Sequence, residues 1–376
     1  MSLNSKSDKP TWFDKNPKRV IFLFLALIIL IFLFGIEYVL EQKFNIQSNP
    51  KQRYVQIREV LPDTDTIGAS DNVNKDFVRV RTDSNGLLLP GKIHDDADIT
   101  LFFIGSSTIM TVTLDEKERL PYVTGNMLEK KTKNKVNSYN GAYSSSTSFH
   151  GLNMLINKVI PYKPDYLIFM YNAVDLIKLR LSPNYYWETN YVTTSAGSIM
   201  NALRGVKNRL FPNIYYVLNT NLNINIGGYI RGLFNSLGFD TKIIKKEHLK
   251  KTFKDMDFEI AKDKYTKNLE SIIAICKIHD IVPVILTEPW NLKEIKKDKN
   301  IRDLGLDDFV QYHNTFNTII ENTGRDEGVI LVDLFNKIND KRSELFVGKY
   351  HFSLDGVKVV SDLITKEIIK HREKNN

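Results

Sequence analysis

Hydrophobic positions along this chain fall into two textures. The first is one unbroken run, Val20 to Ile36, which holds 17 residues without a charge and is extended by Glu37-Tyr38-Val39-Leu40. About 20 apolar residues cross a bilayer. A secretory leader has a shorter apolar core, about 7–15 residues, followed by a small-residue cleavage pattern. No Ala-x-Ala pattern follows here. The pattern therefore predicts an uncleaved signal anchor over residues 20–40. Lys6, Lys9, Lys15, Lys18 and Arg19 precede the run, and Glu37 and Glu41 close it. The positive-inside rule then places residues 1–19 in the cytoplasm and the main domain outside, periplasmic or extracellular.

The second texture begins after a polar segment, residues 41–75, which reads as a juxtamembrane stalk. Short apolar runs then alternate with helix-period segments. Residues 98–105, 135–141, 165–176, 281–290 and 328–335 read as strands. Residues 119–132, 149–162, 264–280, 306–324 and 353–372 read as helices, the second of them stopped by Pro161. Near-continuous apolar strands separated by amphipathic helices predict a parallel sheet covered on both faces. The expected fold is thus an α/β, three-layer α/β/α domain over residues 76–376 with a five-stranded parallel sheet, preceded by one transmembrane helix. Ligands of such sheets bind beyond the carboxyl ends of the strands. Gly105-Ser106-Ser107, Asn140-Gly141-Ala142 and Asn172-Ala173-Val174-Asp175 all fall at those ends.

Residues 181–262 break the alternation and are rich in Asn, Tyr and Gly, which predicts an insertion. Within it, residues 198–218 are partly amphipathic, with Arg204, Lys207 and Arg209 on the polar side. This segment either touches a membrane surface or packs against the main domain.

Composition narrows the function classes. The formal net charge of +8 comes from lysines spread along all 376 residues and mixed with acids. No basic stripe interleaved with aromatics is present, so nucleic acid is not an expected partner. Cys276 is the only cysteine, which excludes an intramolecular disulfide. His150, His279 and His313 are scattered without metal-ligand spacing, and the segment Ser144–Ser148 lacks the Gly-x-x-x-x-Gly-Lys phosphate pattern. No metal and no cofactor are expected. Glu288, after the fourth strand, either lines a pocket or closes the strand.

The ordered segments "FFIGSST", "YNGAYSSSTSFHGLNMLINKVIPYKPDYLIFMYNAVDL" and "YHFSLDG" resemble the SGNH (GDSL-type) hydrolase superfamily. The likeness is strongest to membrane-anchored bacterial members whose first motif reads Gly-Gly-Ser-Thr-Thr, and it spans about residues 98–180 and 263–372. The resemblance implies Ser107 as nucleophile and His351 as general base. It also implies an oxyanion hole from the N–H groups of Ser107 and Ala142, with Asn172 as a candidate side-chain donor. Three positions depart from the family pattern. Gly348 stands where the Asp-x-x-His acid is expected, Ala142 replaces a glycine, and Val174 replaces the oxyanion asparagine. Asp333 and Asp355 are the candidates for an orienting acid, and Asp175 is expected to be structural.

Two readings follow from the resemblance. In the first, the protein is a membrane-anchored serine esterase or acyltransferase. Its outward-facing site suggests an ester-bearing surface polysaccharide or lipid, such as one carrying O-acetyl groups. In the second, the three departures leave a catalytically weakened module that binds glycan or serves as partner in a membrane O-acylation complex.

Overall fold

The computed structural model describes residues 12–44, 60–70, 77–181, 210–211, 213–214, 217–218, 251–338 and 340–375. The chain forms two compact units, one of residues 1–55 and 190–245 and the other of residues 56–189 and 246–376.

The larger unit is built on a parallel sheet of five strands in the order β4-β3-β5-β6-β7. Its strands are β3 (Ile99–Gly105), β4 (Val136–Asn140), β5 (Tyr166–Met170), β6 (Val282–Leu286) and β7 (Ile330–Val332). Successive side chains on a strand point to opposite faces, and the core divides accordingly. Phe102, Ile104, Leu167, Phe169 and Ile285 pack in one cluster. Leu101, Phe103, Ile168, Met170, Val284 and Leu286 pack in another. Helices Phe258–Ile278 and Lys299–Asp326 supply the first layer, with Tyr265, Ile272, Phe309 and Phe316 facing inward. Helices Leu120–Thr132 and Leu354–Asn375 supply the other, with Leu128, Val360 and Ile364. The expected three-layer α/β/α fold with five parallel strands is what the chain forms.

Several boundaries differ from the expectation. The run at 165–176 is strand only to Met170, because a helix begins at Ala173. The strand is fully buried and the first turn of the helix largely so, so a continuous apolar run does not mark the switch. The final strand is shorter than the run at 328–335, and Phe335 already lies in a one-turn helix. The helix expected at 149–162 starts at Ser148 and widens into a π turn at Leu155–Val159. It then carries Pro161 within its last turn, and the chain leaves at Lys163 with φ 47°. A wide turn accommodates a proline that lacks an N–H and crowds the preceding turn.

The segment expected as a stalk, 41–75, is in part built into this unit. β1 (Asp65–Ala69) pairs antiparallel with β2 (Phe77–Arg81). Arg119 fastens this pair to the main domain. Its buried guanidinium donates to the carbonyls of Arg79 (2.8 Å), Leu89 (3.0 Å) and Leu114 (3.3 Å). Burial lowers its pKa to about 10, partly countered by Glu116.

The smaller unit contains the helix Pro17–Phe44, whose Pro17–Gln42 stretch holds an 18-residue window of mean hydropathy 3.0 and is long and apolar enough to cross a membrane. Glu37 interrupts this surface and is buried. Its carboxylate accepts the N–H of Asn213, the Asn213 amide and the N–H of Ile214, each at 2.8 Å. A buried carboxylate is costly unless it is fully hydrogen-bonded, and here three donors meet it. Phe34 and Phe211 add a ring contact at 5.0 Å. In this region the insertion therefore packs against the apolar helix. Most of residues 181–262, including much of 198–218, lies outside the described residues.

Candidate active site

β3 occupies the middle of the sheet's serine side, between β4 and β5. Gly105 ends it because nothing larger fits. A Cβ at that position would lie 2.7 Å from Ile109 Cγ1 and 3.1 Å from the Met170 carbonyl. The chain turns at once into the Ser107–Met110 helix, with Ser106 at the N-cap position. A serine at a strand-to-helix turn often serves as an N-cap, and that position belongs to Ser106, whose side chain makes no capping bond. Ser107 is the first helical residue and is half-buried, and among the described residues its hydroxyl forms no hydrogen bond.

Asn140, the last residue of β4, braces this turn. Its buried side chain donates to the Met110 carbonyl at 3.1 Å and accepts the Ala142 N–H at 3.2 Å. It thereby joins the end of the serine helix to the next strand's exit. The Ala142 N–H expected at an oxyanion hole is thus bonded within its own turn.

Asn172 follows β5 and is almost fully buried. Its amide donates to the His313 carbonyl at 3.0 Å, while its Oδ1 has no partner among the described residues. The side chain expected to complete the oxyanion hole is therefore turned to a backbone carbonyl. His313 lies stacked on Trp290, with ring centroids 3.8 Å apart, and burial drives its pKa down to about 3, so it is neutral. Asp175 bonds to Ser148. It takes the Ser148 N–H at 3.1 Å and the Ser148 hydroxyl at 2.5 Å, holding the start of the Ser148–Met154 helix.

His351 lies in a two-residue strand, β9 (His351–Phe352), paired antiparallel with β8 (Phe346–Val347). The Ser107–Met110 helix packs beside β9, so the two expected catalytic residues belong to neighbouring elements. Among the described residues no hydrogen bond joins their side chains. The hairpin is held from outside by the Asn291 N–H on the Lys349 carbonyl at 2.9 Å and by the ion pair of Lys349 with Asp298.

Gly348, at the expected acid position, sits in the hairpin connection with φ +70°. A residue with a Cβ adopts that backbone at a cost, so the turn itself favours glycine there. The two candidate acids, Asp333 and Asp355, have partners of their own. Asp333 closes β7 and accepts the Asn336 N–H at 3.1 Å, the Asn336 amide at 2.9 Å and the Thr287 hydroxyl at 3.3 Å. Asp355 is exposed and pairs with Lys358 at 2.9 Å.

Glu288 is the residue whose weight the sequence understated. It follows β6, is buried, and its Oε2 accepts the Ala173 N–H at 2.7 Å. Burial raises its pKa to about 7, opposed by the Ala173 N–H and the Thr108 hydroxyl, while the Asp175 charge pushes the same way as burial. Its backbone is gripped by one side chain: the Glu288 N–H donates to Asn317 Oδ1 at 2.8 Å, and the Asn317 amide donates to the Glu288 carbonyl at 3.0 Å. Glu288, Asn317 and Thr108 carry no spacing signature, and the one available hint was a carboxylate placed just after a buried strand. Among the described residues no cluster of His, Cys, Asp or Glu could hold a metal ion.

No protein-family profile matches the chain, and no curated protein matches it in sequence. Solved structures do align with it. A lipase/acylhydrolase from Enterococcus faecalis aligns at 14% identity and TM-score 0.39, covering 72% of this chain and 95% of that one. An acetylxylan esterase from Geobacillus stearothermophilus aligns at 12% identity and TM-score 0.41, covering 73% and 96%. A protein from Desulfitobacterium hafniense assigned to the G-D-S-L lipolytic family aligns at 10% identity and TM-score 0.40, covering 72% and 99%. At this similarity these neighbours lend no residue of this chain a role.

Proposed function

We propose that this protein is a membrane-anchored serine esterase or acyl hydrolase working outside the cytoplasm. The observation that carries the reading is the serine turn. Ser107 leaves a central strand with a half-buried, uncommitted hydroxyl, on a helix packed beside the strand that bears His351. In this reading His351 takes the Ser107 proton as the hydroxyl oxygen attacks an ester carbonyl. The Ser107 N–H meets the oxyanion, and the Ala142 N–H joins it when Asn140 releases it. The alkoxide leaves with the proton from His351, and water then releases the acyl group by the reverse exchange. Loss of a donor typically costs about 10²–10³ in rate, so a slow enzyme is expected. The Pro17–Gln42 helix supports the anchor, and the basic residues before it support an outward-facing domain. O-acetyl groups of a surface polysaccharide or lipid are the substrates to test first.

The committed amides of Asn172 and Ala142 favour a second reading, a weakened module that binds glycan or partners an O-acylation complex. Hydrolysis of acetyl esters by the detergent-solubilised full-length chain separates the two. The esterase reading expects turnover that Ser107→Ala removes. No turnover by folded wild-type protein, with Ser107→Ala leaving the cellular phenotype intact, favours the module. A reporter fused to the C-terminus should be active only when exported, and a cytoplasmic signal overturns the topology.

A further inference from the structure

A carboxylate stands where the apolar helix leaves its charge-free run. The rise from Arg19 to Glu37 is about 27 Å along a helix, against a hydrocarbon thickness of about 30 Å. With Arg19 at the inner boundary of a bilayer, Glu37 lies close to the outer boundary. Phe34, about one turn earlier, then lies within the outer leaflet. Phe34 is where the insertion arrives, because its ring meets that of Phe211 with centroids 5.0 Å apart. Phe211 therefore shares that depth. Leu210, the residue before it, is 40% exposed, and Phe34 and Tyr38 of the helix are exposed as well.

A backbone that enters a membrane at this depth brings N–H groups that lipid cannot satisfy. Glu37 answers that demand. One of its oxygens accepts both the Asn213 N–H and the Asn213 side-chain amide, and the other accepts the Ile214 N–H, all at 2.8 Å. Glu37 and Asn213 are both buried. A glutamate at the end of a spanning helix can simply face water, whereas this one is turned wholly to protein donors. Ionisable residues in spanning segments are costly and pair with specific partners, and Asn213 and Ile214 are the partners here.

We propose that the stretch carrying Leu210, Phe211, Asn213 and Ile214 is a second membrane-contacting element, seated in the outer leaflet beside the anchor and held there by Glu37. Its partner is the acyl-chain region of the bilayer. Lipid covers the Leu210 side chain, continuing the apolar surface that the anchor helix already presents. Of the two roles open to residues 198–218, membrane contact is the one these bonds favour, since the polar groups of Asn213 are spent on the anchor helix. The proposal rests on the membrane-anchored part of the preceding reading and is independent of whether Ser107 is reactive.

The test uses the full-length chain in phosphatidylcholine vesicles. An environment-sensitive fluorophore is attached at Leu210→Cys or, as a reference inside the bilayer, at Ile28→Cys. Cys276 is buried, which leaves the engineered thiol as the reactive one. A lipid carrying a spin label on its acyl chain quenches any probe that reaches the hydrocarbon, and both probes should be quenched. Adding Glu37→Ala should release the probe at position 210 from quenching while the probe at position 28 stays quenched. The same change should speed amide exchange at Asn213 and Ile214 about tenfold or more, the worth of a bond to a charged acceptor. An unquenched probe at position 210 beside a quenched one at position 28 overturns the proposal and leaves the anchor standing. If neither probe is quenched, the anchor reading falls and the proposal falls with it. Quenching and exchange that Glu37→Ala leaves unchanged also overturn the proposal. If Glu37→Ala no longer inserts, seen as lost quenching at position 28, Asn213→Ala decides. Reduced quenching at position 210 in that variant supports the proposal, and unchanged quenching overturns it.

Discussion

The serine side and the histidine side of the candidate site are built to different standards. Ser107 stands on a turn fixed from two sides. Steric closure occurs at Gly105, and an amide clamp comes from Asn140. Both fixing residues are buried. His351 instead stands on a two-residue strand of a hairpin that has a glycine where the resemblance expects an acid. Its neighbour Phe352 is buried in the core, and the Lys349–Asp298 ion pair and the Asn291 N–H on the Lys349 carbonyl hold the connection. The contrast is that Ser107 follows directly from a buried sheet strand, whereas His351 is carried on a short hairpin outside that sheet.

The comparison can be broken at several points. The largest effect belongs to Ser107→Ala, which should abolish labelling by an active-site phosphonate, with the intact mass as readout. His351→Ala should slow labelling by about 10²–10⁴, the usual worth of a general base, and leave the melting temperature nearly unchanged. Arg119→Ala removes three bonds from a buried guanidinium and should cost about 3 kcal/mol in denaturant unfolding, without touching either half of the site. Asn140→Ala should cost about 2 kcal/mol and also slow labelling, because its amide braces the serine helix. Gly348→Ala should cost about 1 kcal/mol, read by thermal unfolding, since the added Cβ meets open space but a φ of +70°.

Glu288 adds a pH dependence whose sign is fixed. Its carboxyl is raised from 4.5 to about 7 in the folded chain, so the folded state holds the proton more tightly than the unfolded one. Its contribution is fully present below pH 4.5 and is lost as pH rises through 7, about 3 kcal/mol in all. Glu288→Gln should therefore become more stable relative to wild type as pH rises from 5 to 8. A constant difference across that range would contradict the buried ionisation.

Much of this architecture was legible in the sequence because burial leaves periodic marks. The apolar run at Val20–Ile36 and the strands ending at Gly105 and Asn140 fall where the pattern places them. The switch at Met170–Ala173 was hidden because the buried, apolar run continues from the strand into the first turn of the helix. The site was legible only where a residue type is chemically distinctive. Ser107 and His351 stand out as types, and their elements meet. Glu288, Asn140 and Asn317 act through long-range hydrogen bonds between segments up to 115 residues apart, and no local pattern encodes such pairs. Asp333 and Asp355 looked available as acids because the sequence does not reveal that Asn336 and Lys358 already engage them. Glu37 likewise read as a flank of the apolar helix, while its partners lie at Asn213 and Ile214.

The account stands on the serine turn, and one measurement reaches it directly. The full-length chain in detergent is treated with a fluorophosphonate, digested and mapped by mass spectrometry. The predicted result is a single adduct on Ser107, absent from Ser106 and greatly reduced in His351→Ala. An adduct on any other residue, or none on folded protein that keeps its melting transition, would contradict it.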